Sequence, residues 1–349
     1  MRKFLGVSMG LADSLSSLPG ASYGTSFLDA VLPRNPVTGA RQLHILPESY
    51  EISWGKSKYY STIDLHGGAM ASDLQIVQTV SEIFSKLKSH TKRELPYEVT
   101  IVQSDFPNAM CLPGGKIIVG RGLLVKIREI AANPRQRSYQ APDGEMIQYD
   151  DIKEEDLIAA LLAHEMTHAD ARHAVRRLEN TVFFQILISS VNFVCETILG
   201  AKKRDLEVEE SKPVSSEKLD SKKSEEEEKA RQERSRQKNW IDTLQAVRQV
   251  VFYLLNEFGT KLYELAGRRQ YEYEADLHGW HLAKRAGYED HRAWLLLMDI
   301  LKELSQESET PTFFENFKEF WSTHPRLSDR QSAIYKDYTK ASETKDTND

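Results

Sequence analysis

Residues 157–173 read LIAALLAHEMTHADARH, and this stretch decides the reading of the chain. Within it, His164-Glu165-Met166-Thr167-His168 has the form H-E-x-x-H. Leu157, Ile158, Leu161 and Leu162 precede it at helical spacing, so a helix buried on one side is expected. Asp151 followed by Glu154 reads as a helix start, and the helix is expected from about Ile152 to Leu178. At i and i+4 the two imidazoles project from one face and can share a metal. Glu165 falls beside them, where it can take a proton from a water on that metal. A buried helix with three polar side chains needs something to satisfy them, because unpaired burial is costly. A zinc ion does so; the bland alternative is a charged helix with two surface histidines.

Two histidines leave a catalytic zinc short of protein ligands, since such sites usually have three and an open position. His173 lies nine residues beyond His164, about 180° around a continuous helix. It therefore points away unless the helix breaks, and reads as structural or as a partner behind the site. The better candidate is the downstream acidic cluster Glu272-Tyr273-Glu274-Ala275-Asp276.

These segments, with Ala171-Arg172-His173 and Arg269-x-x-Glu272-x-Glu274-Ala275-Asp276, resemble zinc metallopeptidases of the HtpX and CAAX-prenyl-protease type, peptidase family M48. The resemblance points to the soluble bacterial or mitochondrial-type branch. It implies a gluzincin with one Zn2+ per chain, held by His164, His168 and Glu272, and with Asp276 supporting a histidine ligand from behind. Asn108 to Val119, containing Pro113-Gly114-Gly115, resembles the family's N-A-x-x-x-P-G-G strand pair. Gly115, Lys116, Ile117, Ile118 and Val119 would then form the edge that binds substrate backbone. Thr323-His324-Pro325 with Arg330 resembles the family's T-H-P segment, which puts His324 first and Arg330 second as donors to the reaction's oxyanion. Asn35-Pro36-Val37-Thr38-Gly39-Ala40-Arg41-Gln42-Leu43 resembles an N-terminal segment of the same branch. Arg268, where the family commonly has serine, departs from the pattern without removing a ligand.

The expected fold is α+β: a mainly helical, zincin-like metallopeptidase domain with a small antiparallel sheet whose edge strand borders the cleft. Residues 1–34 read as a flexible leader, 35–338 as the domain and 339–349 as a polar tail. Within the domain, 128–150 reads as an extra loop and 201–238 as a charged, disordered insertion, because its Lys/Glu/Ser/Arg composition cannot bury a core. A single charged helix is the other bland reading of the insertion. It separates two apolar segments, Val182–Leu199 and Trp240–Phe258, read as a helical hairpin. A buried helix is favoured for the first, against a membrane-facing or in-plane helix.

Composition bounds the rest. The 349 residues carry a net charge of -6 and are 40% hydrophobic and 28% charged, which fits a soluble globular chain. No basic patch with interleaved aromatics appears, so nucleic-acid binding is not expected. Cys111 and Cys195 are too few for a disulfide framework. Met1-Arg2-Lys3-Phe4-Leu5 is basic, but Ser8, Asp13 and Ser14 interrupt any apolar run, so no clear signal peptide is read. A membrane-associated or cell-envelope location is slightly favoured. The functional expectation is a zinc endopeptidase using Glu165 as general base on protein or peptide substrates, in quality control of misfolded or membrane-associated proteins. Segments 182–199 and 240–258 offer membrane-surface contact. The competing expectation is a chaperone or scaffold whose zinc site is occluded, with His324 as the blocking ligand.

Overall fold

The computed structural model describes residues 32–105, 107–133, 137–211, 221–306 and 327–346. In chain order the elements are α1 (Glu48–Leu65), α2 (Gln75–Lys88), β1 (Glu98–Val102), β2 (Ala109–Leu112), β3 (Lys116–Gly120), α3 (Arg121–Ala132), β4 (Ser138–Gln140), β5 (Met146–Gln148), α4 (Glu154–Asp170), α5 (His173–Glu210), α6 (Ser221–Leu254), α7 (Thr260–Arg285), α8 (His291–Gln306) and α9 (Leu327–Asp346). The chain divides into two compact units. One comprises residues 1–179 and 266–349, the other residues 180–265.

The first unit is the mainly helical α+β fold expected. Its centre is α4, packed against α2, α3, α8 and β2. Ala and Leu give this segment high helix propensity, and Glu154, Glu155 and Asp156 in its first turn complement the helix dipole. The helix starts behind Lys153, whose side chain makes no capping bond, so the Asp151–Glu154 capping box does not form. Burial exceeds the one-sided expectation, since every residue from Leu157 to Thr167 is buried. Each such Leu, Ile or Met contributes about 1.5–3 kcal/mol as an upper estimate. The expected helix to Leu178 is interrupted after Asp170, because Arg172 adopts φ 60 and α5 begins afresh at His173.

The three-stranded sheet is mixed, in the order β1-β3-β2. Strand β3 is parallel to β1 and antiparallel to β2, and all five of its residues are buried. The β2–β3 turn needs positive φ, which Gly114 (φ 71) and Gly115 (φ 80) supply. The supposed extra loop at 128–150 is instead the end of α3 and a β4–β5 hairpin turning at Gly144. Tyr149, just after it, is fully buried and donates its hydroxyl to Asp299 at 2.7 Å.

The second unit contains the two apolar segments within long helices. The favoured buried helix is corrected here: Phe183, Ile186, Val191, Phe193 and Ile198 of α5 are exposed, as are Trp240, Val250, Tyr253 and Phe258. An 18-residue apolar window of α5 has no buried residue. Polar groups join the two helices, with Arg248 donating to Asn192 and lying 3.7 Å from Glu196. The charged insertion is helical on both flanks, to Glu210 and again from Ser221, with 212–220 outside the described residues. Helix needs no buried core when charged side chains stay solvated, which is why composition alone did not separate it from disorder.

Candidate metal centre

Helix α4 presents His164 and His168 one turn apart, with their Nε2 atoms 3.1 Å from each other. Helix α7 brings in Glu272, whose Oε2 is 3.4 Å from His164 Nε2 and whose Oε1 is 3.4 Å from His168 Nε2. Zinc bonds of 2.0–2.1 Å at tetrahedral angles place donor atoms about 3.3 Å apart. The two imidazoles and one carboxylate thus match the chemistry of a zinc site, with each histidine nitrogen at about that separation from one of the two Glu272 oxygens and all three ligand atoms within 4.8 Å of one another. Gly279 makes the close helix approach feasible, since a Cβ there would lie 2.7 Å from the Trp294 ring and 3.1 Å from the Ala163 carbonyl oxygen.

Behind the three donors is a buried ionic frame. His164 Nδ1 is 3.0 Å from Asp276 Oδ1. Arg330 grips Asp276 in a fork, Nε to Oδ2 at 2.6 Å and Nη2 to Oδ1 at 2.7 Å. Its Nη1 lies 3.0 Å from Glu272 Oε2, an ion-pair contact off the hydrogen-bond line. Burial alone would lower the His164 pKa, but Asp276 and Glu272 outweigh it and raise it to about 9. Burial would raise Asp276; Arg330 and His164 reverse this and hold it below the usual carboxylate value.

The break at Arg172 turns His173 back toward the site. His173 Nδ1 is 2.8 Å from His168 Nδ1, and its Nε2 is 3.1 Å from Glu274 Oε2. Arg176 Nη1 donates to the same Glu274 oxygen at 2.6 Å. Desolvation lowers the His173 pKa and outweighs Glu274. Burial pushes Glu274 upward, but the His173 hydrogen bond and Arg176 bring it down to about 2.

A cleft of about 170 Å³ runs beside the donors, lined by Glu165, His168, Glu272, Tyr271 and the strand residues Met110, Cys111 and Leu112. A smaller cavity of about 20 Å³ borders His164, Glu165, Trp294 and Met298. Glu165 is buried and lines both.

The expected substrate edge needs correction. Gly115 to Val119 cannot receive an added strand, because β3 is already paired on both sides. The edge at the cleft is β2. Gly120 N donates to Asn108 O at 2.7 Å, which fixes the antiparallel alternation and leaves the backbone groups of Ala109 and Cys111 directed away from β3. Arg330 is held by Asp276 through Nε and Nη2, while its Nη1, 3.0 Å from Glu272 Oε2, makes no hydrogen bond among the described residues. His324 lies outside the described residues.

Sequence reasoning missed Glu274 and Arg176. Glu274 is two residues from Glu272, roughly on the opposite side of a helix, so a search for one ligand face discards it. The available signal was the His173–Arg176 pair, one turn apart and both able to face a carboxylate.

The family model of peptidase family M48 matches residues 71–337. The chain is 24% identical over 148 residues to the mitochondrial metalloendopeptidase OMA1 of Schizosaccharomyces pombe, which covers 42% of this chain and 36% of that protein. The chain thus spans about a third of the length of the curated relative it matches.

Proposed function

The chain belongs to peptidase family M48, and from that premise we propose that it is a zinc-dependent endopeptidase with His164, His168 and Glu272 as the ligands. The supporting observation is the set of three donor separations, 3.1, 3.4 and 3.4 Å, beside a carboxylate that borders an open cleft. When bound, zinc lowers the pKa of a water to about 7 and polarises the scissile carbonyl.

The chain's own residues supply the rest. Glu165 accepts the proton from the attacking water and later delivers it to the leaving amine. Ala109 and Cys111 offer backbone groups to an extended peptide laid along β2, which orients it without reading much of its side-chain identity. Asp276 and Arg330 hold His164 and Glu272 in place. Of the two oxyanion donors expected, His324 keeps that role in this reading, and Arg330 acts as a positioning group.

The second unit supports a membrane location. Val182–Leu199 would be about 27 Å long as a helix, close to the roughly 30 Å of a bilayer core. Arg177, Lys202 and Lys203 flank it with positive charge, suited to the interfaces on either side. Substrates are accordingly misfolded or membrane-associated proteins.

Casein cleavage by the zinc-loaded full chain in detergent tests the activity. Wild type is expected to cleave, to stop on chelation and to recover with zinc, while Glu165→Gln retains zinc and is inactive. A wild type that releases no fragment supports the occluded, chaperone-like alternative. Cleavage by Glu165→Gln at the wild-type rate removes Glu165 from the mechanism.

A further inference from the structure

We propose that His173 is a positioning residue for the metal centre, fixing the tautomer and tilt of His168 and itself held by Glu274, Arg176 and Tyr271. The inference rests on the zinc reading above and adds a second line of residues to it.

The backbone gives the first argument. In a continuous helix His173 would lie about 140° around the axis from His168. It reaches His168 only because Arg172 takes φ 60, a left-handed conformation that costs a side-chain-bearing residue roughly 1–2 kcal/mol. Such strain persists only where the surroundings impose it. Here Asn35 Nδ2 donates to the Ala171 carbonyl at 2.9 Å. Arg172 Nη2 donates to the Leu46 carbonyl at 3.0 Å, and its Nη1 is 2.8 Å from His44 Nε2. The Asn35 segment thus fastens the break that turns His173 inward.

Proton placement gives the second argument. His168 Nε2 faces His164 Nε2, so it is the ligand atom and its lone pair is committed. The ring proton then sits on Nδ1 and is donated to His173 Nδ1 at 2.8 Å. His173 must carry its own proton on Nε2, where it is donated to Glu274 Oε2 at 3.1 Å. Glu274 accepts further bonds from Arg176 at 2.6 Å and from Gln270 at 2.7 Å, so both carboxylate oxygens are engaged. Tyr271 stacks on the His173 ring at 4.8 Å and 17°, and Arg176 covers the Tyr271 ring at 4.8 Å. One sequence of donors and acceptors satisfies every ring nitrogen, and it leaves His168 in the tautomer a metal requires. His164 receives this service directly from Asp276; His168 receives it through a neutral imidazole spacer.

Zinc affinity, measured by competition with a fluorescent chelator on the full chain, tests the assignment without relying on peptidase activity. His173→Phe keeps a ring to stack on Tyr271 but removes both nitrogens. It is expected to weaken zinc binding about 10–100-fold, the usual cost of losing a partner behind a ligand. His173→Gln can accept from His168 and donate to Glu274, and should recover most of the loss. Glu274→Gln, at the far end, should weaken binding several-fold and gives an independent arm where His173→Phe fails to fold. Cobalt-substituted protein should show a shifted visible spectrum for His173→Phe and a near-native one for His173→Gln. A wild type that holds no zinc overturns both readings. A zinc-binding wild type beside His173→Phe or Glu274→Gln variants of equal affinity overturns this one alone.

Discussion

Replacing Arg330 with methionine separates a structural clamp from a catalytic donor. Arg330, Asp276 and Glu272 are each 2% exposed. Burial opposes the guanidinium charge, but Asp276 and Glu272 outweigh it and raise its pKa. Arg330→Met removes two hydrogen bonds to Asp276 and the ion pair to Glu272, leaving two buried carboxylates without their arginine. Breaking a buried pair in this way costs about 3–5 kcal/mol. At about 2–4 °C per kcal/mol for a unit of this size, melting should fall by roughly 10 °C. The loss should be larger in chelator than in excess zinc, because the cation partly replaces the missing positive charge beside Glu272. Calorimetric melts of wild type and variant under both conditions measure it. A variant within about 1 kcal/mol of wild type that loses only turnover would refute the clamp and restore Arg330 as an oxyanion donor.

Three further outcomes follow from the same geometry. Gly279→Ala drives a methyl into Trp294 and the Ala163 carbonyl; it should cost about 1–3 kcal/mol and weaken zinc binding, and unchanged melts and affinity would show that α7 has slack against α4. Glu274 is held at about 2 against an ordinary 4.5, so the stability it contributes is present above pH 4.5 and lost as pH falls toward 2. The amount is on the order of 3 kcal/mol at most, and acid titration of Glu274→Gln should show a shallower loss over that window; an identical slope contradicts the assignment. Ile186→Asp with Phe193→Asp should abolish flotation of the full chain with phospholipid vesicles, and undiminished flotation would place the membrane contact elsewhere.

The grouping of His164, His168 and Glu272 was largely legible in the sequence because its logic is local. H-E-x-x-H sets two imidazoles one turn apart whatever surrounds the helix, and Glu272 with Asp276 shares a face by the same periodicity. What stayed hidden depends on tertiary choices. No glycine marks the break at Arg172, so residues 152–178 read as one helix with His173 pointing away. The order β1-β3-β2 rests on a parallel pairing between strands separated by β2, which residue alternation does not reveal. The open edge of the sheet is therefore β2 and not β3. The apolar face of α5 reads as core because composition does not distinguish a buried apolar face from an exposed one. The β4–β5 hairpin hid in a stretch whose Asp143-Gly144 turn was visible but whose three-residue strands were too short to show alternation.

Zinc content joined to X-ray absorption at the zinc edge tests the central claim most directly. The account predicts one zinc per wild-type chain, bound by two imidazole nitrogens and carboxylate oxygen at about 2.0–2.2 Å, and its loss in Glu272→Ala with the fold retained. Stoichiometric zinc in Glu272→Ala, with an unchanged absorption spectrum, would contradict it.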